Sequence, residues 1–319
     1  MGRHSETGRH QAGLKPPDSN ESLQVKLDSK LTWRSDAVCM LGESPVWDPH
    51  SGTLHWIDVV DPAIYAYAHH ALRRYAMPKP VASIYLAQPG RLLAALRSGF
   101  VWLDLSDACV APLAGAWPMS PDERFNDGRC DRHGAVWIST MDRRCVSRIG
   151  AILRIASATD ARAFPSHAIL GNGICFSPDD RFLYFSDTHA RTIHRYEKAG
   201  LMDGQAADGR LFVQAAGGSG KPDGSAMDSD GCLWSASVGG GRIERYSPEG
   251  RLVGVLDLPV SHPTHCAFGD SDLRTLFVTT MGDPRIAPAL AGQPLAGRVL
   301  AFQVQAQGMP EQRLAATWR

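Results

Sequence analysis

The stretch from residue 221 to residue 241, KPDGSAMDSDGCLWSASVGGG, decides how this chain folds. It places one acid, Asp223, between a proline and a glycine, and continues through a turn into the strand-like run Cys232–Ser237. The proline has a fixed φ and the glycine adopts backbone angles that other residues avoid, so the carboxylate between them is held stiffly. The same order of polar residue, glycine, turn and strand recurs at RFNDG (124–128) and GNG (171–173). This recurrence indicates a fold built from repeated units.

Similar runs of β-type residues follow turn clusters along the rest of the chain, and most are succeeded by a second run with a similar ending. The first runs are TLHWID (53–58), RLLAAL (91–96), AVWIST (135–140), FLYFSD (182–187), CLWSAS (232–237) and TLFVTT (275–280). A period of about 40–50 residues with about four short strands per unit is typical of a β-propeller. A large β-sandwich is the alternative, but it would not need a repeated turn–strand–strand phrase. The sequence therefore predicts an all-β, six-bladed β-propeller with four antiparallel strands per blade around a central channel.

The domain organisation follows from the same repeats. Residues 1–30 are polar and show no periodicity, so we expect a flexible N-terminal extension there. Residues 31–319 are predicted to form a single propeller that carries the catalytic site. No amphipathic helix pattern appears, which argues against an α/β enzyme.

Composition excludes several classes of partner. The chain has 33 Lys and Arg against 33 Asp and Glu, so its charge favours neither nucleic acid nor a membrane surface. It contains no apolar run long enough to span a bilayer and no hydrophobic signal core, which predicts a cytoplasmic protein. The seven cysteines are dispersed without CxxC spacing, which is typical of reduced core thiols. We expect a monomer or a small homo-oligomer.

Four polar residues occupy related places in different repeats, each beside small or rigid neighbours: Glu43 in LGESPVWD, Asn126, Asn172 and Asp223. In a propeller such residues crowd together at one mouth of the channel. Two carboxylates and an amide carbonyl are hard oxygen donors, suited to one divalent ion such as Ca²⁺, Mg²⁺ or Mn²⁺, with Zn²⁺ also possible. Taken singly, each residue is better explained as an exposed acid or an Asx-turn. Taken together, they favour a shared metal site.

Several phrases of the chain resemble the SMP-30/gluconolactonase family of regucalcin-like sugar lactonases. The similarity runs in order from Cys39 to Phe302 and is carried by LGESPVWD, LHWIDV, RFNDGRCDRHGAVWISTM, GNGICFSPDDRFLYFSDT, KPDGSAMDSDGCLWSASVGGGRIERYSPEG and HPTHCAFGDSDLRTLFVTT. The resemblance implies a six-bladed propeller with one divalent metal in the channel mouth, hydrolysing aldonolactones. Its metal ligands fall on Glu43, Asn172 and Asp223, and its substrate-contacting arginine and asparagine fall on Arg124 and Asn126.

One segment departs from the family pattern. Some members place an acidic residue a few positions after a Thr-Met pair, where it contacts the sugar, and here the run is TMDRR (140–144). Asp142 is the candidate for that contact, and the alternative is that Arg143 or Arg144 points inward instead. An inward arginine would favour a substrate with an anionic substituent, whereas two solvated surface arginines would have no such role.

The predicted reaction is metal-dependent hydrolysis of a small-molecule, gluconolactone-type sugar lactone to the open aldonic acid, in carbohydrate catabolism. Asp223 is the candidate to accept the proton of the attacking water, and Arg124 and Asn126 would orient the substrate. No Gly-x-Ser-x-Gly motif is present, and the cysteine of SHPTHC (261–266) is expected to be buried. Two alternatives remain open: a metal-dependent hydrolase of other esters or phosphotriesters, and a non-enzymatic propeller that serves as an interaction platform.

Overall fold

The computed structural model describes residues 25–204, 209–218 and 220–318. Their strands form six four-stranded antiparallel sheets, arranged as the blades of a β-propeller. The predicted fold class is therefore confirmed. The described helices are one short α-helix, α1 (Lys198–Met202), and a single 3₁₀ turn at Pro288–Leu290. Neither is long or apolar enough to cross a membrane.

The chain begins with a strand that belongs to the last blade, β1 (Lys30–Arg34). The first three blades then follow in order, each read from the channel outward. Blade one contains β2 (Gly42–Asp48), β3 (Thr53–Asp58), β4 (Ala63–Ala68) and β5 (Ala71–Ala76). Blade two contains β6 (Val81–Leu86), β7 (Arg91–Leu96), β8 (Phe100–Asp104) and β9 (Val110–Leu113). Blade three contains β10 (Glu123–Cys130), β11 (Val136–Asp142), β12 (Gly150–Ser157) and β13 (Asp160–Ala168).

The remaining three blades complete the ring. Blade four contains β14 (Gly171–Phe176), β15 (Phe182–Asp187), β16 (Thr192–Glu197) and β17 (Arg210–Gln214). Blade five contains β18 (Lys221–Met227), β19 (Leu233–Val238), β20 (Arg242–Tyr246) and β21 (Leu252–Asp257). Blade six contains β22 (Pro263–Gly269), β23 (Thr275–Thr280) and β24 (Leu300–Gln303), and β1 is its outermost strand. The first strands of neighbouring blades contact one another around the whole ring, from β2 through β6, β10, β14, β18 and β22 back to β2.

Both ends of the described chain are attached to the propeller. Within the predicted extension, residues 1–24 lie outside the described residues, but the backbone N–H of Leu27 bonds to the carbonyl of Val255 in blade five. The predicted boundary at residue 30 therefore lies inside a segment that already contacts the propeller through its backbone. Beyond β24, the chain crosses the far end of the channel, where Met309 bonds to Met227, Leu314 to Leu86 and the Trp318 indole to Gly134. This C-terminal segment joins blades five, two and three.

The second strand of every blade is largely buried. β3 and β23 are buried at every position, and Trp56, Trp137 and Trp234 in β3, β11 and β19 are almost fully enclosed. Aromatic and β-branched residues favour such packed strands, which explains why these runs were evident from the sequence. Of the seven cysteines, all are free and five are buried, consistent with their predicted role as core thiols.

Two of the turns that precede these strands are built around buried aspartates with the same set of partners. Oδ1 of Asp228 accepts two backbone hydrogen bonds within its turn, from Asp230 (3.0 Å) and Cys232 (2.8 Å). Oδ2 of Asp228 accepts from the Trp234 indole and from Nε of Arg245, both at 2.8 Å. In blade three, Asp131 repeats this arrangement with the turn N–H groups, the Trp137 indole and Nζ of Lys198. Each carboxylate thus holds a turn, an aromatic core residue and a cation together.

Candidate functional site

The four residues that the sequence analysis grouped lie on the innermost strands themselves. Glu43 is on β2, Asn126 on β10, Asn172 on β14 and Asp223 on β18. The sequence predicts strands only in the runs that follow these residues, because the hydrophobic second strand of each blade is the more evident one. Since innermost strands face the channel, the corrected assignment brings all four side chains toward the same mouth.

A β-bulge interrupts each of these strands at the site. The pairing register shifts between Glu43 and Val46, between Phe125 and Gly128, between Asn172 and Cys175, and between Pro222 and Ser225. A bulge leaves residues out of the ladder and redirects their side chains. The Gly, Pro, Asn and Asp residues of these segments, which indicate turns in isolation, here form bulges that direct polar side chains into the channel.

A chain of hydrogen bonds links the predicted substrate and metal residues. Nη1 of Arg124 donates to Oδ1 of Asn126 at 3.0 Å, and Nδ2 of Asn126 donates to Oδ1 of Asn172 at 2.6 Å. Nδ2 of Asn172 in turn donates to Oγ1 of Thr188 at 2.8 Å, and that hydroxyl donates to the carbonyl of Pro222 at 2.7 Å. The chain therefore extends from Arg124 to the residue that precedes Asp223, across three blades.

The two carboxylates of the predicted metal set lack cationic partners. Among the described residues, no group donates a hydrogen bond to the Asp223 carboxylate, and burial together with the charge of Asp127 raises its pKa well above the usual range. Glu43 accepts one long hydrogen bond, from the backbone N–H of Ser44 at 3.3 Å. Burial and the charge of Asp223 raise the pKa of Glu43 as well. Burial and nearby negative charge disfavour the ionised forms of both acids, and a cation between them would favour those forms.

Asp127 and His265 form a pair beneath this site. Asp127 accepts a hydrogen bond from the backbone N–H of Ile174 at 2.9 Å and lies 3.2 Å from Nε2 of His265. Although burial opposes both ionised forms, their mutual attraction lowers the pKa of Asp127 and raises that of His265. The imidazole also packs against Gly224, where an added Cβ would come within 2.1 Å of the ring. The pair therefore supports the backbone that carries Asp223.

The donor set fits a divalent cation. Glu43, Asn172 and Asp223 offer oxygen atoms, and the two carboxylates are without the counter-charge that a cation would supply. Among the described residues, no three His, Cys, Asp or Glu side chains are placed to hold a metal ion. The amide oxygen of Asn172, which also accepts from Nδ2 of Asn126, remains the predicted third donor. The carboxylate of Asp127 is paired with His265 and accepts from the backbone N–H of Ile174, which favours a supporting role for this acid.

Asp142 does not join this group. It ends β11, and its carboxylate accepts hydrogen bonds from the backbone N–H groups of Arg144 (3.0 Å), Val146 (3.0 Å) and Ser147 (2.5 Å). These bonds lower the pKa of Asp142 to about 2. Asp58 and Asp187 end the second strands of blades one and four and bond to turn N–H groups in the same way. The oxygens of Asp142 thus close a turn that recurs between blades, and its contact with the sugar stays a prediction.

The two arginines that follow Asp142 are both exposed. Nη1 of Arg143 donates to the carbonyl of Pro121 at 3.3 Å, which holds the side chain against the entry to β10. The Arg144 side chain makes no hydrogen bond or ion pair with any described residue. Of the two, Arg143 is thus the one fixed near Arg124, whose pKa is lowered by burial and by the charges of Arg97 and Arg143.

The SHPTHC segment offers no nucleophile. Cys266 is fully buried, and burial raises the pKa of its thiol to about 12. His265 is committed to Asp127, as described above. Sequence reasoning did not assign Asp127, Thr188 or this role of His265. The signal for Asp127 was its position directly after Asn126 in the repeated RFNDG phrase, whereas Thr188 had none.

Comparisons with known proteins agree with this geometry. Residues 41–282 match the model of the SMP-30/gluconolactonase/LRE-like region. The chain is 36% identical over 275 residues to a 6-deoxy-6-sulfogluconolactonase of Pseudomonas putida, covering 85% of this chain and 94% of the relative. It is 31% identical to an L-arabinolactonase of Azospirillum brasilense, covering 93% and 99% of the two chains. A solved structure of regucalcin from Agrobacterium tumefaciens, described as a calcium-binding protein, superposes with a TM-score of 0.79 at 25% identity, covering 89% and 98%.

These matches span the propeller and include every strand that carries a candidate site residue. The relatives are covered almost completely, so the similarity concerns the whole domain and not one motif. The chain belongs to the SMP-30/gluconolactonase/LRE-like family.

Proposed function

We propose that this propeller hydrolyses a sugar lactone to the open aldonic acid and holds one divalent metal ion between Glu43, Asn172 and Asp223. The observation that carries the proposal is a pair of carboxylates, the half-buried Glu43 and the buried Asp223, that face the channel and form no ion pair with a described residue. A protein that used the channel only as a platform would have no use for two mutually repelling acids there. Relatives named as lactonases of six-carbon and five-carbon sugar acids support the same substrate class.

The roles of the side chains follow from their surroundings. A divalent ion held by Glu43, Asn172 and Asp223 would supply Lewis-acid polarisation of the lactone carbonyl. The Asp223 carboxylate, which receives no internal hydrogen bond, accepts the proton of the attacking water. Arg124 and Asn126, joined by a hydrogen bond of 3.0 Å, orient the substrate. Arg124 donates to the developing oxyanion, because the amide N–H groups of Asn126 are used by Gly171 and Asn172. Because a lactone is an activated ester, no nucleophilic serine is needed.

The proposal also covers the metal ion, the sugar and the cellular location. The donor chemistry favours Ca²⁺, Mg²⁺ or Mn²⁺, and Zn²⁺ is compatible with carboxylate oxygens. We propose a gluconolactone-type substrate and a cytoplasmic location. The electrostatic balance of the chain, 33 basic against 33 acidic residues, agrees with a small-molecule substrate.

The test is hydrolysis of gluconolactone, galactonolactone, xylonolactone and arabinonolactone by protein stripped with chelator and resupplied with each metal. The variants are Asp223→Asn, which removes one charge at nearly constant shape, and Asp107→Asn as a control on an exposed loop of blade two. Calorimetric titration with the restoring metal provides a second readout. We expect metal-restored turnover in the unmodified protein and in Asp107→Asn, and loss of both turnover and metal binding in Asp223→Asn.

Other results would redirect the proposal. Metal binding without turnover of any lactone would favour a hydrolase of other esters or phosphotriesters. Turnover that survives both metal removal and Asp223→Asn would place the chemistry elsewhere on the propeller. If the protein neither binds metal nor turns over a lactone, the remaining alternative is a non-enzymatic propeller that serves as an interaction platform.

A further inference from the structure

Three arginines come together at the rim beside the proposed lactone site. The backbone N–H of Phe125 donates to the carbonyl of Arg97 at 2.9 Å, which joins the end of β7 to the strand that carries Arg124. The backbone N–H of Arg143 donates to the carbonyl of Asp122, also at 2.9 Å, at the start of the same strand. Arg97 and Arg143 therefore flank Arg124 from neighbouring segments, one from blade two and one from blade three.

No carboxylate neutralises this group. None of the three guanidinium groups lies within ion-pair distance of an acidic side chain of the described residues. Of the acids nearest in sequence, Glu123 accepts hydrogen bonds from Thr140 and from the backbone of Ser120, and Asp142 closes its own turn. The exposed carboxylate of Asp122 forms no ion pair with a described residue. Like charges held together without a counter-ion repel one another, and burial adds to this in lowering the pKa of Arg124.

The group is also connected to the reaction site. Arg124 donates to Asn126, and Asn126 donates to Asn172 in the proposed metal site. The charge of Glu43 also favours the ionised form of Arg124. A substrate whose carbonyl reaches these ligands would extend its far end toward Arg97 and Arg143, which are exposed.

We propose that Arg97, Arg124 and Arg143 form an anion-binding rim, and that the preferred substrate is a sugar lactone carrying a sulfonate, phosphate or carboxylate group remote from its carbonyl. The inference rests on the proposed lactonase function and names the substrate class for it. A guanidinium group donates two parallel hydrogen bonds to an oxyanion, a geometry that a hydroxyl group cannot match. The rim thus selects for anionic over neutral lactones of the same ring size.

The test compares matched lactones and matched variants. The substrates are gluconolactone and three derivatives altered at the terminal hydroxymethyl group. One carries a phosphate on the oxygen of that group, one a sulfonate in place of the oxygen, and one a carboxylate in place of the whole group. Comparing the three derivatives shows which oxyanion is preferred. The variants are the double substitution Arg97→Gln with Arg143→Gln, which spares Arg124, and Arg162→Gln as a control on the exposed outer strand of blade three. Binding of the open-chain product acids, measured by calorimetry on the metal-loaded protein, provides a readout that does not need turnover.

We expect the unmodified protein and Arg162→Gln to show a higher kcat/KM for at least one anionic lactone than for gluconolactone. In the double variant the ratio of the two kcat/KM values should fall roughly ten- to a hundredfold, the loss expected for one or two charge-assisted hydrogen bonds. The corresponding ratio of product-acid affinities should fall with it.

If the ratio of kcat/KM for the anionic lactone to kcat/KM for gluconolactone is the same in the unmodified protein and in the double variant, the anion-binding rim is refuted and the proposed lactonase function still stands. A preference for neutral lactones in the unmodified protein would do the same. Failure to hydrolyse any lactone would instead count against the proposed function, and the affinity ratio for the product acids would then decide on the rim by itself.

Discussion

The side-chain amide of Asn126 donates a hydrogen bond of 2.6 Å to the side-chain oxygen of Asn172, so a proposed substrate contact also orients a proposed metal ligand. The two residues are on β10 and β14, in different blades. A change at Asn126 should therefore affect both metal binding and catalysis, although Asn126 is not itself among the proposed ligands.

Asn126→Ala removes that donor and the acceptor for Arg124. We expect kcat to fall roughly 100-fold, because Arg124 loses the acceptor that aims it at the oxyanion, and metal affinity to fall roughly tenfold as Asn172 loses its orientation. Steady-state kinetics and metal titration check the two effects, with Gln303→Ala on the exposed end of β24 as the control. A loss of kcat with unchanged metal affinity would contradict the coupling between the two asparagines.

Gly224 is predicted to tolerate no side chain. An added Cβ would lie 2.1 Å from the ring of His265, so Gly224→Ala must displace either the imidazole or the bulge that carries Asp223. We expect a loss of roughly 1–3 kcal/mol in the free energy of unfolding, typical of overpacking, together with weaker metal binding. Gly217→Ala is the matched control, because nothing lies within 4 Å of an added Cβ there. Equal stability of the two variants in urea unfolding would refute the close contact.

Asp228 and Asp230 allow a comparison of two acids that share one arginine. Both pair with Arg245, but Asp228 is fully buried and also holds the turn and Trp234, whereas the side chain of Asp230 is 72% exposed. Asp228→Ala leaves buried donors unpaired and should cost roughly 3–5 kcal/mol, while Asp230→Ala should cost less than about 1 kcal/mol. Denaturant unfolding measures both, and similar losses would contradict the proposed role of the buried carboxylate.

His55 should make the protein less stable in acid. It is buried in β3, its Nδ1 has no partner among the described atoms, and burial lowers its pKa from 6.5 to about 4. Between these values the unfolded chain binds a proton that the folded chain does not, so the free energy of unfolding falls as the pH decreases from 6.5 to 4. The expected loss from this residue is roughly 3 kcal/mol.

The measurement is urea unfolding at several pH values in that range for the unmodified protein and for His55→Leu. The variant should lose this part of the pH dependence, whatever its stability at neutral pH. His50→Gln, at an exposed position in the turn that precedes β3, should retain the pH dependence. An unchanged pH profile in His55→Leu would show that other groups cause the loss in acid.

The propeller and its six blades were predictable because the second and third strands are hydrophobic and recur. The innermost strands were not recognised, since β10 (ERFNDGRC) and β18 (KPDGSAM) are rich in residues that indicate turns when read locally. Their strand conformation depends on neighbours from the adjoining blades, and the turn-like residues are those that the bulges require.

The candidate site residues could be predicted because turn-like segments, which obscured the innermost strands, also mark polar residues that recur. Glu43, Asn172 and Asp223 stand out because polar residues beside glycine or proline recur at related points of the repeats. Asp142 could not be judged in that way, because its hydrogen bonds are to backbone groups, which no side-chain pattern reveals. The pairing of Asp127 with His265 joins residues 138 positions apart and appears only once the ring is closed.

The closure of the ring has a consequence for how the protein is made. Blade six takes its outermost strand, β1, from the beginning of the chain, and Thr32 bonds to Ala301 across 269 residues. During translation β1 leaves the ribosome long before its partner β24. Joining segments so far apart costs about 5 kcal/mol of chain entropy, and until then the nascent chain exposes unpaired strand edges that invite aggregation. We expect the completed site, with Glu43 in blade one and Asp223 in blade five, to form only after β24 has emerged and the ring has closed.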